Sequence, residues 1–289
     1  MFYLILTILL NVVISVIFKI FPRYKIDSFQ AIVANYLVCV ITGCVFIGKM
    51  PFTAGNLHAA WLPWALLMGC GFISIFNLIA YSTKMDGITT TTIANKLSLA
   101  IPVIFSIVLY HELAGVWKIA GILLAVPAVY LTTRVKGENN KVQNLFWPAI
   151  LFILSGLLDT LVKYVQFHFL ASADTQAVYT IYCFAVAATI GLMLMTALLL
   201  LKKITFHWRN IVAGICIGVP NYFSIYYLIR MLNSSFLQSS AAIPVVNIGI
   251  LVTSSVTAIL LFREKVNALR ITGLLLSVIA ILLIAFGDR

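Results

Sequence analysis

The chain has 289 residues, of which 63% are hydrophobic and 9% charged, with a formal net charge of +11. A soluble domain of this size carries about 25% charged residues, so the polar surface is too small to hold the fold in water. The Lys and Arg residues lie in small groups between apolar runs. That scatter excludes the one-faced basic cluster of a nucleic-acid binder and fits loops facing anionic lipid headgroups.

A membrane helix needs about 20 mainly apolar residues. Divided at its charged and turn-rich breaks, the chain predicts spans at 2–20, 28–47, 61–83, 88–110, 115–134, 146–167, 176–201, 209–231, 236–262 and 266–286. Runs this long and continuous satisfy their backbone as helices and exclude a barrel. The first run lacks the basic flank and small-residue cleavage site of a signal peptide and reads as a span. Trp61, Trp64, Trp117, Trp147 and Trp208 each fall at the start of a predicted helix, where an interfacial indole is favoured. Gly214 and Gly218 form a GxxxG, a pattern that lets helices approach closely. Cys39, Cys44, Cys70, Cys183 and Cys216 lie inside apolar stretches without CxxC spacing, which gives no metal site and no disulfide framework. Basic residues favour the connections that hold Arg23, Lys84, Arg134, Lys202 and Arg263. The positive-inside rule places that side in the cytoplasm and both termini outside.

The chain matches itself. Tyr110-His111-Glu112 aligns with Phe262-Arg263-Glu264 and Gly121 with Gly273 at an offset of 152; Gln30, Tyr36, Cys70 and Tyr81 align with Gln176, Tyr182, Cys216 and Tyr227 at 146; Lys19 aligns with Lys163 at 144. The sequence therefore predicts an all-α integral membrane protein of about ten transmembrane helices. They form two inverted five-helix repeats, residues 1–134 and 146–289, joined by 135–145. A repeat with an odd number of spans must re-enter the membrane from the opposite side. Inverted repeats of this kind build secondary transporters, with the substrate site at mid-membrane.

The stretch Ile101-Pro102, Phe105, His111-Glu112 and Lys118-Ile119-Ala120-Gly121, repeated as Arg263-Glu264 and Arg270-Ile271-Thr272-Gly273, resembles the EamA-type drug/metabolite transporter superfamily. His111 and Arg263 stand where that family usually has glycine. The resemblance implies a multi-pass protein of the bacterial inner (plasma) membrane with a central cavity, which exports or exchanges small organic metabolites such as amino acids.

Ionisable residues within a span cost about 2.5–3.5 kcal/mol on insertion scales and are functional candidates. Asp159 and Lys163, four apart, share a helix face. One reading pairs them structurally, and the other makes Asp159 a proton-coupling carboxylate. Lys96 lies among Thr92, Asn95 and Ser98. Either its stem snorkels to the interface, or the segment is a hydrated cavity wall in which Lys96 receives a substrate anion. Asn77, Tyr81, Asn221, Tyr222 and Asn247 are further cavity candidates. Glu112 and Glu264, each beside a basic residue, His111 and Arg263, read as structural groups that pair or hydrogen-bond at the helix end inside the turn. Pro102, Pro127, Pro220 and Pro244 predict kinks.

No nucleophile–base pair, P-loop or metal cluster appears in the sequence, so the expectations are no enzyme activity, no cofactor and no metal. The expected partners are a small solute and the lipid bilayer. The competing class is a membrane-embedded lipid-handling protein or enzyme, which requires clustered acids, histidines or a metal site.

Overall fold

The computed structural model of the chain describes residues 2–110, 115–133, 146–170, 172–232, 239–264 and 267–286. Among them the ordered elements are helices: α1 (Phe2–Ile20), α2 (Ser28–Ile47), a single turn α3 (Ala54–Leu57), α4 (Leu62–Asp86), α5 (Ile88–Leu97), α6 (Ala100–Tyr110), α7 (Val116–Thr133), α8 (Phe146–Phe169), α9 (Ala173–Leu200), α10 (Trp208–Leu232), α11 (Ser239–Phe262) and α12 (Ala268–Phe286). Seven stretches among the described residues are long and apolar enough to cross a bilayer, and shorter apolar helices cover Val116–Ala128, Phe146–Val162 and Ile271–Ile284. This is an all-helical membrane protein.

The helix ends follow from local chemistry. Asp27 caps α2 by accepting the Gln30 N–H at 3.0 Å, and Ser172 caps α9 by accepting the Thr175 N–H at 3.2 Å. Each satisfies one of the orphan donors of a first turn. Gly48, at φ +67°, closes α2 in the left-handed conformation that glycine tolerates best.

Two expectations are corrected. The stretch 88–110 is two helices, α5 and α6, separated at Ser98–Leu99. Proline at position 102 has no N–H to give the Ser98 carbonyl, and its ring crowds that group. Helix α4 runs on to Asp86 rather than ending at 83. Trp61 is buried against Tyr179 and Tyr182, while Trp117 and Trp208 are exposed. Pro127 and Pro220 stand inside the continuous helices α7 and α10, and the side chain of Pro244 lies outside the described residues.

The chain forms two compact units, each drawn from both ends of the sequence. One contains residues 1–19, 78–160 and 224–289; the other contains 20–77 and 161–223. In the first unit α7 packs on α12 and α5 on α11 and α7. At Gly121 a Cβ would stand 2.8 Å from the Ala280 carbonyl oxygen, so α7 and α12 touch backbone to backbone. Gly249 of α11 receives Ile8 of α1, next to an apolar cluster of Met231, Val246 and Ile250 with Leu4 and Leu228.

In the second unit α2 packs on α9. The GxxxG of α10 seats it on α2: a Cβ at Gly214 would lie 2.5 Å from the Ala31 oxygen, and one at Gly218 would lie 2.6 Å from Val38 Cβ. Gly69 of α4 faces Val186 of α9 in the same way. The starts of α2 and α10 are tied by polar groups. Asn210 Nδ2 donates to Gln30 Oε1 at 2.9 Å, Asn210 Oδ1 accepts the Asp27 N–H at 3.1 Å, and Gln30 Nε2 donates to the Thr205 carbonyl at 2.9 Å. Interhelical bonds in membranes average about 0.6 kcal/mol each, so this set fixes register more than it adds stability.

Candidate functional site

The break between α5 and α6 lies at Ser98–Leu99, between Leu97 and Ala100. Three bonds bridge it: Ser98 N–H to Ala94 O at 3.3 Å, Ile101 N–H to Ser98 O at 2.9 Å and Val103 N–H to Leu99 O at 3.4 Å. The first and last keep the regular i to i−4 spacing, and the Ile101–Ser98 bond between them is the tighter i to i−3 kind, a form common at functional hinges. The Ser98 hydroxyl donates to the Asn95 carbonyl at 2.5 Å.

Helix α8 crosses the break at Gly156. A Cβ there would stand 2.5 Å from Ile101 Cδ1 and 2.8 Å from the Ser98 carbonyl oxygen, so glycine is the residue that permits this approach. One residue earlier, Ser155 Oγ accepts a hydrogen bond from Asn95 Nδ2 at 3.0 Å. Asp159 is one turn further along that face of α8. On α5, Lys96 follows Asn95 directly.

Lys96 and Asp159 therefore lie within each other's field. They are not in direct contact: the described ion pairs closer than 4 Å are Lys19–Glu264 and Lys49–Asp174. Lys96 is partly buried and Asp159 is exposed. This leaves a cation and a carboxylate on facing helices, held by a neutral hydrogen bond beside an interrupted helix. Such a pair can receive a polar or charged group between its members.

The predicted pairing of Asp159 with Lys163 depends on the Lys163 side chain, which lies outside the described residues. Thr92, a turn from Lys96, is buried. Asn247 is partly buried on α11, a helix that packs against α5. Tyr81 is exposed and makes an edge contact with Trp147 at 4.8 Å between centroids.

The other candidates belong to the second unit. Asn77 Nδ2 donates to its own helix, at the Ile73 carbonyl, over 2.7 Å. Asn221 Nδ2 donates to Asn35 Oδ1 at 3.2 Å, inside the α2–α10 contact. Tyr222 is buried beside Phe46 and Gly43. Reading the sequence missed Ser155 and Gly156, although their spacing of four and three residues before Asp159 places them on its face. It also missed Asn35, the partner of Asn221.

Glu264 does not stay within its own turn, as its sequence context predicts. It accepts the Ile88 N–H of α5 at 2.9 Å and pairs with Lys19 of α1 at 3.5 Å. Glu112 lies outside the described residues. A cavity of about 290 Å³ in the second unit is lined by Lys49, Pro51, Asn56, Trp61 and Asp174 among others; none of the candidates from the sequence faces it. Among the described residues no group of three His, Cys, Asp or Glu side chains could hold a metal ion.

No protein-family model matches the chain. It is similar to a Haemophilus influenzae protein named only as an uncharacterized protein, with 26% identity over 296 aligned residues that cover 99% of this chain and 98% of the relative. The similarity runs end to end.

Proposed function

We propose that the protein is a secondary transporter of the bacterial inner membrane that moves a small organic metabolite, such as an amino acid, by alternating access. The observation that carries this reading is the interrupted span α5–α6, with Lys96 at its edge and Asp159 across from it on α8. Discontinuous helices with polar backbone at membrane depth are tolerated where they line a cavity, and transporters build substrate sites from them. In this reading Lys96 attracts a substrate carboxylate. An ammonium in a poorly hydrated place either finds a counter-charge or loses its proton, and a substrate anion shares that task with Asp159.

The same reading makes the helices ten spans in two inverted repeats of the EamA type, with α5 and α6 as one broken span and α3 as a surface turn. The contacts inside each unit support it. Helices α2 and α9, like α7 and α12, occupy equivalent repeat positions and pack on each other. The contact of α1 with α11 has its counterpart in that of α8 with α5–α6, and the contact of α10 with α2 in that of α4 with α9. Contacts reciprocal in this way are what a two-fold relation between repeats requires. The EamA assignment itself rests on the sequence motifs quoted above.

The test is uptake and efflux of a metabolite mixture by proteoliposomes of the full-length protein. The expected result is time-dependent movement of at least one solute that Lys96→Ala suppresses. Absence of movement for every solute, in both directions and with or without a proton gradient, overturns the proposal.

A further inference from the structure

A second charged assembly lies at the start of α5, about 12 Å from Lys96 by the helical rise of 1.5 Å per residue. Its centre is Glu264, whose side chain is 8% exposed. Glu264 Oε1 accepts the Ile88 N–H at 2.9 Å and Oε2 accepts the Thr89 hydroxyl at 3.2 Å. The Lys19 ammonium stands 3.5 Å from Oε1. One carboxylate thereby ties together the end of α1, the start of α5 and the α11–α12 link.

Gly87 makes the arrangement possible. Its φ of +90° favours glycine, and a Cβ there would stand 2.7 Å from Glu264 Oε1. A side chain at 87 would strain the turn and expel the carboxylate. Beside it Asp86, itself buried, accepts the Ser82 hydroxyl at 3.1 Å and lies in the field of Lys19.

Two features set this apart from an ordinary helix cap. The capping carboxylate comes from a residue 176 positions away, whose own N–H closes the end of α11 on the Ala258 carbonyl at 3.3 Å, so the side chain can swing away while the backbone stays in place. It is also ion-paired. A buried ion pair offers little net stability over well-packed apolar side chains, but its members are readily solvated once separated. Such a tie suits a contact that must break and re-form.

We propose that Lys19, Glu264 and the start of α5 form a latch that closes one end of the first unit and opens during the transport cycle. This rests on the transporter reading, since only a protein that alternates between two states needs a reversible closure there. All three segments belong to connections that the charge pattern places on the basic, cytoplasmic side, which makes the latch a cytoplasmic gate.

The experiment uses the full-length protein in sealed vesicles, with native cysteines replaced by alanine and Ser98→Cys as reporter. A membrane-impermeant maleimide is applied from each side without substrate. Glu264→Gln and Lys19→Met should each raise labelling from the latch side, relative to the other side, by about fivefold or more, the scale of a modest two-state coupling. Lys19→Arg should keep the original ratio.

Unchanged sidedness in Glu264→Gln and Lys19→Met, with both proteins monodisperse in detergent, overturns the latch. If Glu264→Gln aggregates while Lys19→Met labels like the parent, Glu264 is a structural cap only and the proposal also falls. Shifted sidedness without any solute movement leaves a reversible closure at these residues and removes both the transport reading and the closure's part in a transport cycle. Solute movement with unchanged sidedness leaves the transport reading and removes the latch.

Discussion

Asn95 Nδ2 donates to Ser155 Oγ across 3.0 Å, and this neutral bond sets the register in which Lys96 and Asp159 oppose each other. The partners come from helices separated by a long stretch of chain. Each sits beside a charged residue: Asn95 immediately before Lys96, and Ser155 one turn before Asp159. A polar bond of this kind is worth less than the charges it positions, yet it decides which groups face each other.

Lys96 is expected to bind the anionic part of the solute. Lys96→Ala should lower initial flux by about tenfold or more, the equivalent of losing one charge-assisted bond of about 1.4 kcal/mol. Lys96→Arg should keep part of the activity, because the charge remains while its geometry changes. Flux of the Ala variant within twofold of wild type would remove Lys96 from the site.

The field between Lys96 and Asp159 should appear as coupling. In a double-mutant cycle of Lys96→Met and Asp159→Asn, read by thermal unfolding in detergent, the two changes should fail to add by about 0.5–3 kcal/mol. Asp159→Asn alone should destabilise, because it strands a partly buried cation. Additive effects would mean that the two charges act independently and that each answers to another partner.

Gly156 holds α8 against the helix break. Gly156→Val should cost about 1–3 kcal/mol, the usual range for overpacking, seen as a lower unfolding temperature in the solubilised protein. The contacts at 2.5 and 2.8 Å involve both a side chain and the Ser98 carbonyl oxygen. The backbone atom has no rotamer in which to escape. A variant as stable as the parent would contradict this packing.

Pro102→Ala supplies the N–H for an i to i−4 bond to the Ser98 carbonyl, which now accepts the Ile101 N–H, and should let α5 and α6 merge into a continuous helix. The expected result is unchanged or higher thermal stability together with lower flux. Equal flux would show that the interruption is not needed for movement of the solute.

Helix ends were legible in the sequence because length and hydropathy dictate them directly: α1 (Phe2–Ile20) and α2 (Ser28–Ile47) fall where apolar runs meet charged or capping residues. The break was harder to place. Pro102 announces a disturbance, but its missing bond falls four residues upstream at Ser98. Partners far apart in sequence were out of reach. The spacing of Asp159 and Lys163 points to a neighbour on the same helix, whereas Lys96 comes from another element. Glu264 likewise looks local until the fold carries it to α5. Ser155 was hard to see because hydroxyls in membrane helices usually bond their own backbone, as Ser74 does to the Cys70 carbonyl at 2.8 Å.

The tie between Lys19 and Glu264 bears on how the protein is made. Spans enter the membrane in order of synthesis, and domains generally complete as units. The unit of residues 20–77 and 161–223 has all its helices once residue 223 has left the ribosome. The other unit must wait for α11 and α12, and until then Lys19 stands at the end of the first helix without its carboxylate. Assembly is thus ordered by sequence position: the unit of residues 20–77 and 161–223 matures first, and Lys19 and the start of α5 are joined through Glu264 only when the last two helices arrive. A ribosome-stalled chain ending before α11 should therefore already protect the α2–α10 contact from proteolysis while the Lys19 end of α1 remains open to trypsin.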